Sequence, residues 1–177
     1  QCIAKKGLSG VTMVDITTEA GLSLGIVNLH FQSKEKLLIE TLRHISDEYS
    51  SGLGKIFNDQ SQTTAEKISA HIRYDFSRKI IDRNKLAVWF AFWGETKSRP
   101  TYLSICASYI AEIAANLTQL FAQLKQEGGY NKVNPELTCI FYTALADGLW
   151  LDLLVTPKGL KPDQAYGVAM HYLATQF

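Results

Sequence analysis

The sequence predicts an all-α chain, with a three-helix domain containing a helix-turn-helix at its N-terminus and a helical bundle after it. Three observations carry this. Apolar residues recur at helical spacing along almost the whole chain. Helix punctuation is regular, at Gly21, Arg99-Pro100, Gly128-Gly129, Asn134-Pro135 and Thr156-Pro157 with Gly159. The alternating β-branched runs that mark strands are missing. With 46% hydrophobic residues, the chain can bury a substantial core, which excludes disorder as its dominant state.

The elements follow in order. Gln1 opens the sequence without Met, and Cys2 to Gly7 reads as the last turns of a helix ended by a C-cap glycine. A preceding segment is therefore expected, and the first helix is truncated. Thr12 is a good N-cap with Asp15 three residues on, and its helix is expected to bury Val14, Ile16 and Ala20 before stopping at Gly21. A short helix fits between Ser23 as N-cap and Phe31. Ser33 caps a long helix with Leu37, Leu38, Leu42, Ile45, Tyr49, Leu53 and Ile56 on helical spacing, weakened near its end by Gly52 and Gly54. A polar linker, 58–64, separates it from five further helices, expected over 65–81, 85–98, 101–126, 135–155 and 162–176.

Charge and cysteines narrow the class of function. The formal net charge is +1, and the stretch through Phe57 carries no basic excess, so overall charge does not argue for nucleic-acid binding. Cys2, Cys106 and Cys139 show no metal-binding spacing, and the latter two lie in apolar stretches where cysteine packs as a small hydrophobe. No metal and no cofactor is expected. No apolar run reaches the roughly 20 residues of a membrane span, and no signal peptide is visible. The expected setting is soluble, reducing and cytoplasmic, with no membrane partner.

The segment from Thr12 to Leu38 has the spacing of a helix-turn-helix. Ala20 is small where two helices would cross, Gly21 allows the positive-φ turn, and Leu22 is expected to plug the space between them. The second helix would enter the DNA major groove with its N-terminal residues facing base edges. The hydroxyls of Thr12 and Ser23, and the helix N-termini themselves, suit phosphate oxygens.

The run Thr12-x-x-x-Ile16-x-x-x-Ala20-Gly21-Leu22-Ser23-x-Gly25, followed by His30-Phe31-x-Ser33-Lys34-x-x-Leu37-Leu38, closely resembles the signature of the TetR family of repressors. The resemblance implies a DNA-reading domain at 1–38 and an effector-binding and dimerisation domain at 39–177. It places Thr12 and Lys34 at phosphate-contacting positions, and Ser23, Leu24, Gly25, Asn28, Leu29 and His30 at groove-facing ones. Asn28 departs from the tyrosine usual in the family; an asparagine can bond a phosphate or read adenine bidentately. Val27 and Phe31 are assigned to packing.

In the second half, Ala87-Val88-Trp89-Phe90-Ala91-Phe92-Trp93 with Pro100 beyond it, and Asp147-Gly148-Leu149-Trp150-Leu151, resemble the BetI-type branch of that family, which implies response to choline. Read from the residues, Trp89 and Trp93 are four apart on one helix face beside Phe92, and Tyr102, Tyr109 and Trp150 are candidates to close a cavity around them. Aromatic walls bind quaternary ammonium by cation–π attraction, and Glu95 or Asp147 could add a countercharge. Aromatic residues at helical spacing are also ordinary core, so both readings stand.

The helix 135–155 is apolar nearly all round, as expected of one buried on both sides. With the last helix it would form a four-helix interface across a two-fold axis, the symmetry that palindromic half-sites require. The partners expected are thus double-stranded operator DNA, a small-molecule effector and a second copy of the chain. Two rival readings are a helical ligand binder without DNA binding and a helical-bundle enzyme. His30, His44, His71 and His171 are scattered, and no nucleophile–base grouping accompanies them, so no catalytic residue is assigned.

Overall fold

A computed structural model describes residues 1–156 and 158–177; Pro157, part of the expected punctuation, lies outside the described residues. Among the described residues there are nine helices and no strand: α1 (Cys2–Gly10), α2 (Met13–Ala20), α3 (Leu24–Phe31), α4 (Lys34–Phe57), α5 (Thr64–Asp75), α6 (Arg83–Glu95), α7 (Pro100–Gly128), α8 (Pro135–Val155) and α9 (Pro162–Gln176).

Where the sequence carries explicit cap chemistry, the helices begin and end as expected. Thr12 and Asp15 form a reciprocal capping box at the start of α2, and Gly21 ends it at φ 65°, ψ 28°, a left-handed conformation in which a Cβ would be strained. Ser23 caps α3 through Ile26 N–H, Ser33 caps α4 through Lys36 N–H, and Asn134 caps α8 with Pro135 in the first turn. Two ends differ. Gly7 has φ 70° but only interrupts α1, which runs on to Gly10. α5 stops at Asp75 rather than at Ile81, and the Ser77 carbonyl accepts the N–H groups of Ile80 and Ile81 at 2.9 and 3.0 Å in a turn. Phe76, Ile80 and Ile81 are buried all the same, so their helical spacing was a burial signal and not a helix signal.

By packing, Gln1–Glu48 with Asn84–Ser108 form one compact unit, and Tyr49–Arg83 with Tyr109–Phe177 form another. In the first, α1 packs on α2 and α2 on α3, and Leu8, Val11, Val27, Leu37, Leu38, Leu42, Leu86, Phe92 and Tyr102 are buried. Arg99 ties Glu35 of α4 at 2.6 Å and Glu95 of α6 at 3.4 Å. In the second, α9 packs on α8 and α5. The Arg73 guanidinium lies over the Tyr166 ring at 4.5 Å and donates to its hydroxyl at 3.0 Å.

α7 and α8 amend the reading of apolar runs: by length and composition alone each could cross a membrane. Single polar or acidic residues, such as Ser104 and Glu112 in α7 and Thr143 and Asp147 in α8, break their apolar runs without lowering the average much, which is why no continuous stretch stood out. α7 is two-faced: Tyr102, Cys106, Tyr109, Ile113, Leu117, Leu120 and Phe121 are buried at spacings of three and four, the stripe of a helix packed in protein.

Candidate functional site

The helix pair α2–α3 is built from short-range hydrogen bonds. The Thr12 hydroxyl accepts the Asp15 N–H at 3.1 Å, while the Asp15 carboxylate accepts the Thr12 N–H at 2.9 Å and the Lys6 ammonium at 2.6 Å. Those donors hold the Asp15 carboxyl at about 2, Lys6 being the largest cause. Thr12 and Ser23 each use an oxygen lone pair in capping, which leaves the hydroxyl proton to donate.

On α3 only Val27 turns fully inward, at 4% exposure; Ser23, Leu24, Gly25, Ile26, Asn28, Leu29 and His30 are all exposed. Leu29 is 79% exposed. Lys34 reaches the Ser9 carbonyl at 3.2 Å, anchoring the start of α4 to α1 with two ammonium protons to spare.

Three packing expectations here are corrected. Val14, at 58% exposure, and Ala20 face outward, and Ile16 is only half-buried. The inward place on α2 belongs to Thr17, whose hydroxyl donates to the Val14 carbonyl at 3.0 Å and so is buried without an unmet polar group. Leu22 is half-exposed rather than plugged between helices, while Phe31, half-buried, is not among the exposed apolar side chains and is consistent with packing. The reading head thus shows an apolar outer surface of Val14, Leu22, Leu24, Ile26 and Leu29.

The six aromatic candidates for effector binding divide between the two units. In the first, Trp89 and Trp93 have ring centroids 6.2 Å apart, and Phe92 meets Tyr102 edge-on at 5.1 Å. Phe92 and Tyr102 are fully buried, Trp89 nearly so, and Trp93 is half-buried. Burial, reinforced by the Glu35 charge, raises the Tyr102 phenol above its usual range. Glu95, a candidate countercharge, is already paired with Arg99.

In the second unit, Tyr109 and Trp150 are buried, and they adjoin a constellation that sequence reasoning missed. Asp75, 2% exposed, accepts the Tyr49 hydroxyl at 2.5 Å on Oδ1 and the Tyr142 hydroxyl at 2.6 Å on Oδ2. His71 Nε2 lies 3.2 Å from Oδ2, and Trp150 Nε1 donates to the Asp75 carbonyl at 3.1 Å. The rings pack on one another: Tyr49 edge-on to Trp150, His71 edge-on to Tyr142 and stacked on Phe57. Burial, with the Asp75 charge second, drives both phenols well above the usual tyrosine range. Asp147, the other candidate countercharge, is exposed on α8, yet loss of solvent around its carboxyl and the Asp75 charge push it up to about 6. The signal that could have found this site was His71-x-x-x-Asp75, two ionisable residues on one helix face. Among the described residues, no group of three or more histidine, cysteine or acidic side chains could hold a metal ion.

An exposed pair of short capped helices joined by the Gly21 turn has the form of a helix-turn-helix, a class whose second helix reads DNA. Comparison with known proteins takes this further. The family model described as "BetI-type transcriptional repressor, C-terminal" matches residues 64–177, and that described as "Bacterial regulatory proteins, tetR family" matches residues 1–41. The chain belongs to the TetR family of transcriptional regulators, in its BetI-type branch. It is 25% identical over 179 residues to the HTH-type transcriptional regulator BetI of Escherichia coli strain S88, covering 98% of this chain and 87% of that protein. A solved transcriptional regulator from Pseudomonas aeruginosa PAO1, described as putative, superposes with a TM-score of 0.83 at 28% identity, over 98% of this chain and 84% of that one. A transcriptional regulator from Saccharomonospora viridis, likewise described as putative and solved in complex with choline, has a TM-score of 0.81 at 19% identity, over 97% and 89% of the two chains.

Proposed function

We propose that the chain is a repressor whose residues 1–38 hold operator DNA and whose residues 39–177 bind an effector and dimerise. Thr12 and Lys34 grip phosphates; Ser23, Leu24, Gly25, Asn28, Leu29 and His30 face the major groove. The observation that carries this is α3 itself, which keeps Val27 as its buried anchor and exposes the side chains assigned to the groove. The protein works by binding, with no catalytic step, in the cytoplasm.

Two copies join through α8 and α9. Leu137, Ile140, Phe141, Leu151 and Val155 lie exposed on α8 and Val168 on α9, an apolar surface of the kind that a partner covers. Candidates for the effector's aromatic wall are Trp89, Phe92, Trp93 and Tyr102 in one unit and Tyr109 and Trp150 in the other. The neighbour solved with choline favours a quaternary ammonium ion as the effector. The effector acts by preferring the form of the dimer whose reading heads are wrongly spaced, and it weakens DNA binding by no more than that preference.

The test is fluorescence anisotropy on DNA from upstream of the protein's own gene, at two salt concentrations, with and without choline. Tight, salt-sensitive binding is expected. Lys34→Ala should weaken it and reduce the slope of log affinity against log salt by about 1. Binding no tighter than to a random duplex, or an unchanged slope in Lys34→Ala, would refute this assignment of the head.

A further inference from the structure

Asp75 is out of place as a purely structural residue. A carboxylate buried this deeply is costly unless a cation compensates it. Among the described residues, no lysine or arginine pairs with it; its side-chain partners are two tyrosine hydroxyls and His71. The rings that carry these groups pack on one another around it, Tyr49 edge-on to Trp150, His71 edge-on to Tyr142 and Phe121 edge-on to Tyr142. A second acid, Asp147, adds to the negative potential, and the Asp75 charge is felt at its carboxyl.

An independent observation points the same way. His71 is 1% exposed, its Nε2 faces Asp75, and its Nδ1 is buried with no hydrogen-bond partner. Buried polar atoms are rarely left unmet. With the proton on Nε2, Nδ1 is an acceptor awaiting a donor. One class of molecule answers both needs: a small methylated ammonium ion, whose diffuse charge suits aromatic rings and a carboxylate together, and whose hydroxyl, where it has one, can donate to Nδ1.

We propose that Asp75, with Tyr49, Tyr142 and Trp150 around it and His71 beside it, is the seat of a small quaternary ammonium ion in the second unit. This rests on the effector-regulated reading above and narrows it. The charge-recognising group is a carboxylate on α5, and Trp150 and Tyr109 are the candidate aromatics on its side.

The test compares choline with its uncharged isostere 3,3-dimethyl-1-butanol, and with tetramethylammonium, on the full chain. Binding is read by tryptophan fluorescence and by thermal shift. Wild type should bind both cations and prefer choline over the neutral isostere by about tenfold or more, the size of a desolvated cation–π contact. Asp75→Asn should bring that ratio close to one, whereas Glu112→Gln, which removes an exposed carboxylate on α7, should leave it unchanged. Where Asp75→Asn fails to fold, Trp150→Phe, beside Asp75, and Trp89→Phe, in the other unit, decide the location: loss of the preference in the first alone keeps the seat at Asp75, and loss in the second alone overturns it. Failure to bind either cation at millimolar concentration, equal binding of choline and the isostere, or a folded Asp75→Asn that keeps the preference would each overturn the assignment. Operator anisotropy on the same samples separates the two readings. DNA binding without cation binding removes only this inference, and absence of DNA binding removes the repressor reading on which it rests.

Discussion

Asn28 and Asp147 show how much a single side chain carries in this protein. Asn28 stands exposed on α3 between Leu24 and Leu29. An amide on a groove-facing helix reads adenine through paired hydrogen bonds, and leucines beside it suit thymine methyl groups. Asn28→Ala should therefore cost about 1–3 kcal/mol on the preferred operator and relax discrimination at one base pair, as read by competition among single-base operator variants. A uniform loss on all variants would mean that Asn28 holds phosphate instead. Asp147 makes a prediction about pH. Its folded-state carboxyl sits at about 6 against an ordinary 3.8, so the native chain holds this proton more tightly than the unfolded chain. Stability from this group falls as pH rises between about 4 and 6, and stays low above that. Asp147→Asn should have the higher melting temperature at pH 7 and lose the advantage below pH 4. Parallel melting curves across that range would show that the environment of Asp147 is not the cause.

At the scale of elements, the same local chemistry that starts a helix also presents it. Thr12 closes a capping box on α2 and offers its hydroxyl proton outward. Thr12→Ala should cost about 1 kcal/mol of stability, the usual value of a lost N-cap, and Thr12→Ser should restore it in thermal melts. Gly52, which the sequence presents as a weak point in α4, has another purpose. A Cβ there would run into the hydroxyl end of the Tyr74 ring, and Tyr74 stacks on Tyr49 at 5.8 Å. Gly52→Ala should destabilise the chain by about 1–3 kcal/mol through overpacking. In a Tyr74→Ala background the same change should stabilise by up to about 1 kcal/mol through helix propensity. Elements α2, α3 and α8 were legible because Thr12, Ser23, Asn134-Pro135 and Gly21 announce their ends within a few residues. The end of α5 was not, because Phe76, Ile80 and Ile81 are buried in a turn at helical spacing. The Asp75 constellation was not legible either, since its partners Tyr49, Tyr142 and Trp150 lie 26, 67 and 75 residues away in sequence. Spacing along one helix reveals His71 and Asp75 but says nothing of the rings that fold against them.

For the whole molecule, the reading head and the apolar surface of α8 and α9 make a joint demand. Recognition of a palindromic operator needs two α3 helices about 34–36 Å apart, one turn of DNA, and one chain supplies one. Phe141, 59% exposed, lies on α8 with Ile140 at 61% and Leu137 at 51%, and its ring faces Tyr172 of α9 at 6.4 Å. A carboxylate placed at Phe141 would be solvated in a lone chain but stranded against its own symmetry mate in a two-fold dimer, since an isologous interface brings the same patch together twice. Phe141→Glu should therefore leave the fold intact and give a monomer by sedimentation. Operator affinity should fall toward that of a half-site, while choline binding, if it is centred on Asp75 within one chain, should persist. A Phe141→Glu chain that remains dimeric would move the interface away from α8. A monomer that still bound the full operator at wild-type affinity would break the link between symmetry and DNA reading on which the repressor mechanism depends.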